Sequence, residues 1–376
     1  MTENVFSRAR LVLPDRVAAG SLLVRDGRIA DLDEGRTAVS GLDLDGDFLL
    51  PGLVETHTDH LEKHLAPRPG VRWDTDAAVL AHDAQVATAG ITTVLDALRI
   101  GSHDDSPLVR AARGTADAID RSQRAGRLRA DHHLHLRCEV SDPGCGRYLA
   151  PFEGDPLVRL VSLMDHAPGQ RQYADPEVFR TYHLGTHAVA PERIDEFARV
   201  LVERSHQYAG PNRALVADFA RRHDVPIASH DDATREHVTE SITYGTSIAE
   251  FPTTLEAARA AHAAGLLVVM GAPNLVCGGS QSGNVAAEEV LADGQLDILS
   301  SDYVPASPLQ AVFWLAARRT KLPDAVRMVS GVPARAVGLT DRGALAPGLR
   351  ADLVRVRLSD RVPVVCGVWR TGKRVA

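Results

Sequence analysis

The chain has 376 residues, 44% hydrophobic and 24% charged, an ordinary globular balance that fits neither a disordered chain nor a disulfide-held miniature fold. Its 42 Lys and Arg against 49 Asp and Glu leave a net charge of −7, the wrong sign for a broad nucleic-acid-binding face. Four cysteines without CxxC spacing argue against a zinc ribbon or a secreted disulfide framework, and the most apolar run, Ala263 to Ala272, is too short to span a bilayer.

The opening MTENVFSRARLVLPD carries charges where a signal peptide needs its apolar core, so a cytoplasmic protein is expected. Within the first fifty residues, apolar runs are separated by Pro-Asp and Asp-Gly, which are hairpin signals. From Phe48 to Asp59 (FLLPGLVETHTD) the rhythm changes. Seven more short apolar runs follow, beginning at Gly90, Asp131, Leu157, Val225, Gly245, Gly265 and Leu296. Between most of them lie Ala-rich amphipathic stretches with a period near 3.6, such as TTLEAARAAHAAG, whose closing Gly can cap a helix. After Leu339 the β-like pattern returns in RADLVRVR and WRTGKRVA.

Near-continuous apolar strands alternating with helices mean a buried parallel sheet. The expected fold class is α/β: a (β/α)8 TIM-like barrel over 51–339, with a small β-sandwich domain built from both termini, 1–50 and 340–376. A doubly wound sheet is the alternative, but no GxGxxG follows the first strand.

Polar residues fall at the C-terminal ends of the apolar runs: His57, Asp59, Glu139, Asp165, His166, His230, Asp231, Glu250 and Asp302. In a barrel those ends converge on the mouth that carries the catalytic loops. His57 and Asp59 are an i, i+2 pair on one strand face, able to grip one divalent ion. With His230 and Asp302 they describe a mixed N/O metal centre, in which Asp302 is placed to orient or deprotonate an activated water. Zn is the first candidate, with Mn or Fe also suited, as one or two ions.

A second group is cationic. Lys63, His64, Arg68 and Arg72 follow the first barrel strand, and Gly169-Gln170-Arg171-Gln172 follows the fourth. The loop Gly278 to Asn284, including Gly279 and Ser280, leads into a helix N-terminus, where anions are favoured. Such loops hold phosphate through backbone N–H groups and guanidinium forks. On an acidic chain they point to a phosphorylated ligand.

The segments PGLVETHTDHLEKHLAPRPGVRW, HLRCE, SLMDHAPGQRQ, ASHDD, AEFPTT, MGAPN, GGSQSGNVAA and SSDYVPAS, in this order from Leu49 to Leu339, resemble the amidohydrolase superfamily. Within it they resemble the metal-dependent diphosphatases of the carbon–phosphorus lyase pathway. The resemblance implies pyrophosphate release from a phosphonate-bearing ribose 5-triphosphate, by metal-hydroxide attack on the α-phosphorus with Asp302 as general base. It implies metal ligands at His57, Asp59, His230 and Asp302, with the bridging role falling to Glu139 or to Asp165 with His166. Lys63, Arg68, Arg171, Gly279, Ser280 and Asn284 become the phosphate-binding residues, and a homo-oligomer without nucleic-acid or membrane partners is expected. His60 stands where that group commonly has Asn, and Cys277 and Gln281 stand where Arg and His are expected. C–N hydrolysis and a non-catalytic scaffold are the competing readings.

Overall fold

A computed structural model describes residues 3–35, 41–103, 106–185, 190–280 and 282–376. The strands in chain order are β1 (Glu3–Val12), β2 (Val17–Arg25), β3 (Arg28–Glu34), β4 (Leu42–Asp43), β5 (Phe48–Pro51), β6 (Leu53–Thr58), β7 (Ile91–Ile100) and β8 (Asp131–Glu139). They continue as β9 (Val158–Met164), β10 (Ile227–His230), β11 (Thr246–Glu250), β12 (Leu267–Gly271), β13 (Ile298–Ser300), β14 (Leu353–Ser359), β15 (Val362–Arg370) and β16 (Lys373–Arg374).

The strands β6 to β13 form one eight-stranded sheet in sequential order, with parallel neighbours. Its two ends meet: Thr58, the last residue of β6, bridges Asp302 just beyond β13 in parallel. The sheet is therefore a barrel, the architecture expected from eight alternating apolar runs. Every residue of β6, β10 and β13 is buried, as strands covered on both faces must be. The Ala-rich segment forms the helix Leu255–Ala263, started by the Thr254 side chain accepting the Ala257 N–H.

The termini build a second sheet, mostly antiparallel, in the order β16-β15-β14-β5-β1-β2-β3, with β4 beside β1. Phe6 on β1 meets Trp369 on β15 edge to face with ring centroids 5.0 Å apart. Three strand spacings separate β1 and β15 in the sheet order, about 14 Å if it were flat, so the sheet curls around its own apolar core. Gly52 links the two sheets. A Cβ there would lie 2.1 Å from Thr92 Oγ1, so only glycine lets the chain pass.

By compactness the chain divides into two units, one of Met1–Asp96, Ala118–His133 and Ile298–Ala376, the other of Ala97–Asp117 and Leu134–Asp297. Among the described residues no helix is long and apolar enough to cross a membrane.

Candidate metal centre

In the first unit, the strand period of two puts Glu55 and His57 on one face of β6, with Asp59 continuing it. His57 Nε2 lies 3.9 Å from Asp59 Oδ1. Asp59 is also the N-cap residue of α1 (His60–Leu65). Asp302 is latched to this strand end by its backbone: its N–H donates to the His57 carbonyl at 3.1 Å, and its carbonyl accepts the Asp59 N–H at 3.0 Å. The Thr58 hydroxyl donates to the same carbonyl at 3.1 Å. Asp302 takes a left-handed φ of 52°, a region in which Asp is among the better-tolerated side chains. Strain of this kind persists where surrounding contacts over-determine it, commonly at functional sites.

Glu55 lies beneath this pair. Its Oε1 accepts the His57 N–H at 2.7 Å and its Oε2 accepts the Ser301 N–H at 2.6 Å. Burial pushes its carboxyl up to about 7, against the pull of those donors. One buried carboxylate thus ties the ends of β6 and β13 together. Sequence reading passed over it, although a Glu two residues before His57 in an apolar strand faces the same way by period alone.

In the second unit, Glu139 ends β8 and accepts the Ser141 hydroxyl at 2.6 Å. His166 Nδ1 is 2.6 Å from Glu139 Oε2, and His103 Nε2 is 3.8 Å from Glu139 Oε1. Burial alone would raise the Glu139 carboxyl, but the two histidines and the Ser141 hydroxyl outweigh it and hold the group down at about 2. His230, the last residue of β10, sets Nδ1 3.4 Å from Glu250 Oε2 and Nε2 3.4 Å from Asp231 Oδ2. His103, Glu139 and His166 offer ligand atoms all within 4.8 Å of one another, and so do His166, His230 and Asp231. His166 belongs to both groups. Asp165 is engaged elsewhere, its Oδ2 accepting from the Ser205 hydroxyl at 2.7 Å and from Arg213 at 3.3 Å.

The cationic residues divide. Lys63 is exposed and donates to the Tyr303 carbonyl at 3.2 Å, with its ammonium 5.3 Å from that ring's centroid. Arg68 is exposed. Gly279, Ser280 and Asn284 are half-buried and Cys277 is exposed, whereas Gln281 lies outside the described residues. Arg171 is no rim residue. It is 4% exposed, pairs with Asp232 and with Glu240 at 3.2 Å, and donates to the His230 carbonyl at 3.3 Å. Its guanidinium is committed to carboxylates and to the backbone of a strand-end histidine. No sequence signal marked this, because the partners lie 59 to 69 residues downstream.

An eight-stranded parallel barrel with imidazoles and carboxylates at its strand ends is the arrangement of a barrel enzyme whose site lies at that face. Residues 48–375 match the model of the amidohydrolase family, and the chain belongs to that family. Over 376 residues, 99% of this chain and 100% of the relative, it is 44% identical to alpha-D-ribose 1-methylphosphonate 5-triphosphate diphosphatase of Escherichia coli. Among solved structures, N-acetyl-D-glucosamine-6-phosphate deacetylase from Mycobacterium smegmatis superposes with a TM-score of 0.66 at 18% identity, covering 100% of both chains. N-isopropylammelide isopropylaminohydrolase from Burkholderia multivorans gives a TM-score of 0.66 at 18% identity, covering 100% of this chain and 98% of that one. At that identity the two structures share the fold alone with this chain.

Proposed function

We propose that this chain hydrolyses alpha-D-ribose 1-methylphosphonate 5-triphosphate, releasing pyrophosphate and leaving the ribosyl phosphonate 5-phosphate. One observation carries the reading: 44% identity sustained along 99% of the chain and all of a relative named for that reaction. The strand-end residues support it. His57, Asp59 and Asp302 in the first unit, and Glu139, His166 and His230 in the second, each mix imidazole and carboxylate donors, a chemistry that would suit one or two divalent ions, zinc first. The low-lying carboxyl of Glu139 fits the same role, since a ligand must be ionised. A divalent ion held by these residues would supply Lewis acidity and would lower the pKa of water.

The chain's own residues then do the rest. Asp302, fixed by its backbone latch, accepts the proton of the attacking water at a carboxylate oxygen. The water oxygen bonds to the α-phosphorus, the α–β anhydride bond breaks, and the electron pair leaves with pyrophosphate. Lys63 and Arg68, with N–H and hydroxyl donors from Gly279, Ser280 and Asn284, neutralise the departing charge. Arg171 acts as a positioning residue behind His230 and Asp232. The barrel segment 51–339 carries this chemistry, and 1–50 with 340–376 form the supporting domain. The four free cysteines agree with a reducing cytoplasm.

Hydrolysis in oxygen-18 water tests the route. Label in the ribosyl 5-phosphate is expected, and label in pyrophosphate would place the attack on the β-phosphorus instead.

A further inference from the structure

Just beyond the strand-end Asp59, three histidines converge where α1 packs on the next helix. His60 and His64 lie on α1, one turn apart, and His82 lies on α2 (Thr75–Thr88). Their ring centroids are 4.9 Å apart for His60 and His64, 5.8 Å for His60 and His82, and 5.9 Å for His64 and His82. Three imidazoles on one tetrahedral ion with N–metal bonds near 2.1 Å would have centroids about 5 Å apart. One ring nitrogen of each lies within 4.8 Å of those of the other two. Bound nitrogens would sit about 3.4 Å apart, so a small rotation of the rings closes the triangle.

Hydrogen bonding points the same way. His60 Nδ1, His64 Nε2 and His82 Nδ1 are buried without a hydrogen-bond partner. His60 is 7% exposed and His82 is fully buried. Leaving such a nitrogen unsatisfied in a protein interior is costly, and three at one spot call for a common partner. His82 is also oriented from behind. Its Nε2 is 2.8 Å from Asp96 Oδ1, which leaves Nδ1 as the nitrogen without a partner. A carboxylate behind an imidazole whose other nitrogen is free is the support that metal-binding histidines usually receive. Asp96 is in turn held by His132 Nδ1 at 2.7 Å on its second oxygen.

We infer that His60, His64 and His82 form an additional metal site, a tri-imidazole centre for a divalent ion of the zinc class. His64, the half-buried member, is the side from which an ion enters. The site pins α1 to α2. The inference does not depend on which phosphate or amide bond the barrel cleaves.

The test begins with protein stripped by chelator, reloaded with zinc and freed of excess metal by gel filtration. Elemental analysis is expected to find about one zinc equivalent less in His64→Leu and in His60→Asn than in the wild type, whatever the barrel mouth holds. Equal zinc content in the wild type and both folded variants would overturn the site. A second measurement uses the wild type alone. Acylation of His64 by diethylpyrocarbonate, mapped by mass spectrometry, should slow at least tenfold once zinc is loaded. An unchanged rate would contradict the proposal. Pyrophosphate release, measured separately, reports on the proposed activity and not on this centre.

Discussion

Asp302 and Arg171 are both charged residues beside strand ends, and their surroundings give them opposite uses. Asp302 has its backbone locked to His57 and Asp59 while its carboxyl is half-buried at the mouth. Asn keeps the volume and tolerates the left-handed φ of 52°, but cannot take a proton. Asp302→Asn should therefore lower kcat by about 10²–10⁴ with a melting temperature close to wild type. Near-normal turnover would assign the base to another group. Arg171 instead neutralises the fully buried Asp232. Arg171→Ala should destabilise the fold by about 3–5 kcal/mol, the usual result of orphaning a buried charge. Denaturant titration checks this, and a loss below about 1 kcal/mol would return Arg171 to the role of a dispensable ligand contact.

At the scale of elements, the barrel strands were legible because they are largely buried and read as short, mostly apolar runs separated by amphipathic stretches. The strand-end His57, Glu139, His230 and Asp302 were legible for the same reason, since polarity at the end of such a run stands out. What stayed hidden were polar groups inside elements. Glu55 sits within β6, and Asp83, Asp96 and His132 join α2, β7 and β8 through contacts between residues 36 to 49 apart. His132 Nδ1 is 2.7 Å from Asp96 Oδ2 and its Nε2 is 3.3 Å from Asp83 Oδ1. Burial lowers its affinity for a proton, but the two carboxylates prevail and raise the imidazole from 6.5 to about 9. The group gains its proton-linked stability in the folded state. That contribution is full below about pH 6.5 and is lost as pH rises through about 9. The rise corresponds to a contribution on the order of 3 kcal/mol. The unfolding free energies of wild type and His132→Gln should differ most near pH 6 and converge toward pH 10. A gap independent of pH would show that His132 acts as a neutral packing residue.

For the whole molecule, the order of strands around the barrel carried the architecture from sequence, because sequential parallel pairing follows from alternating strands and helices. The reaction is a finer matter, since one barrel hosts many chemistries and the solved structures at 18% identity share only the fold. In the proposed reaction the substrate would be read by the loops, where Lys63 and Arg68 are exposed and Cys277 stands where a cation is expected. The decisive measurement is the product analysis of the zinc-loaded chain incubated with alpha-D-ribose 1-methylphosphonate 5-triphosphate. One pyrophosphate per substrate, with the ribosyl phosphonate 5-phosphate as co-product and loss of turnover on chelation, is the result expected. Absence of pyrophosphate, alongside metal-dependent cleavage of an amide or amine substrate, would contradict the account.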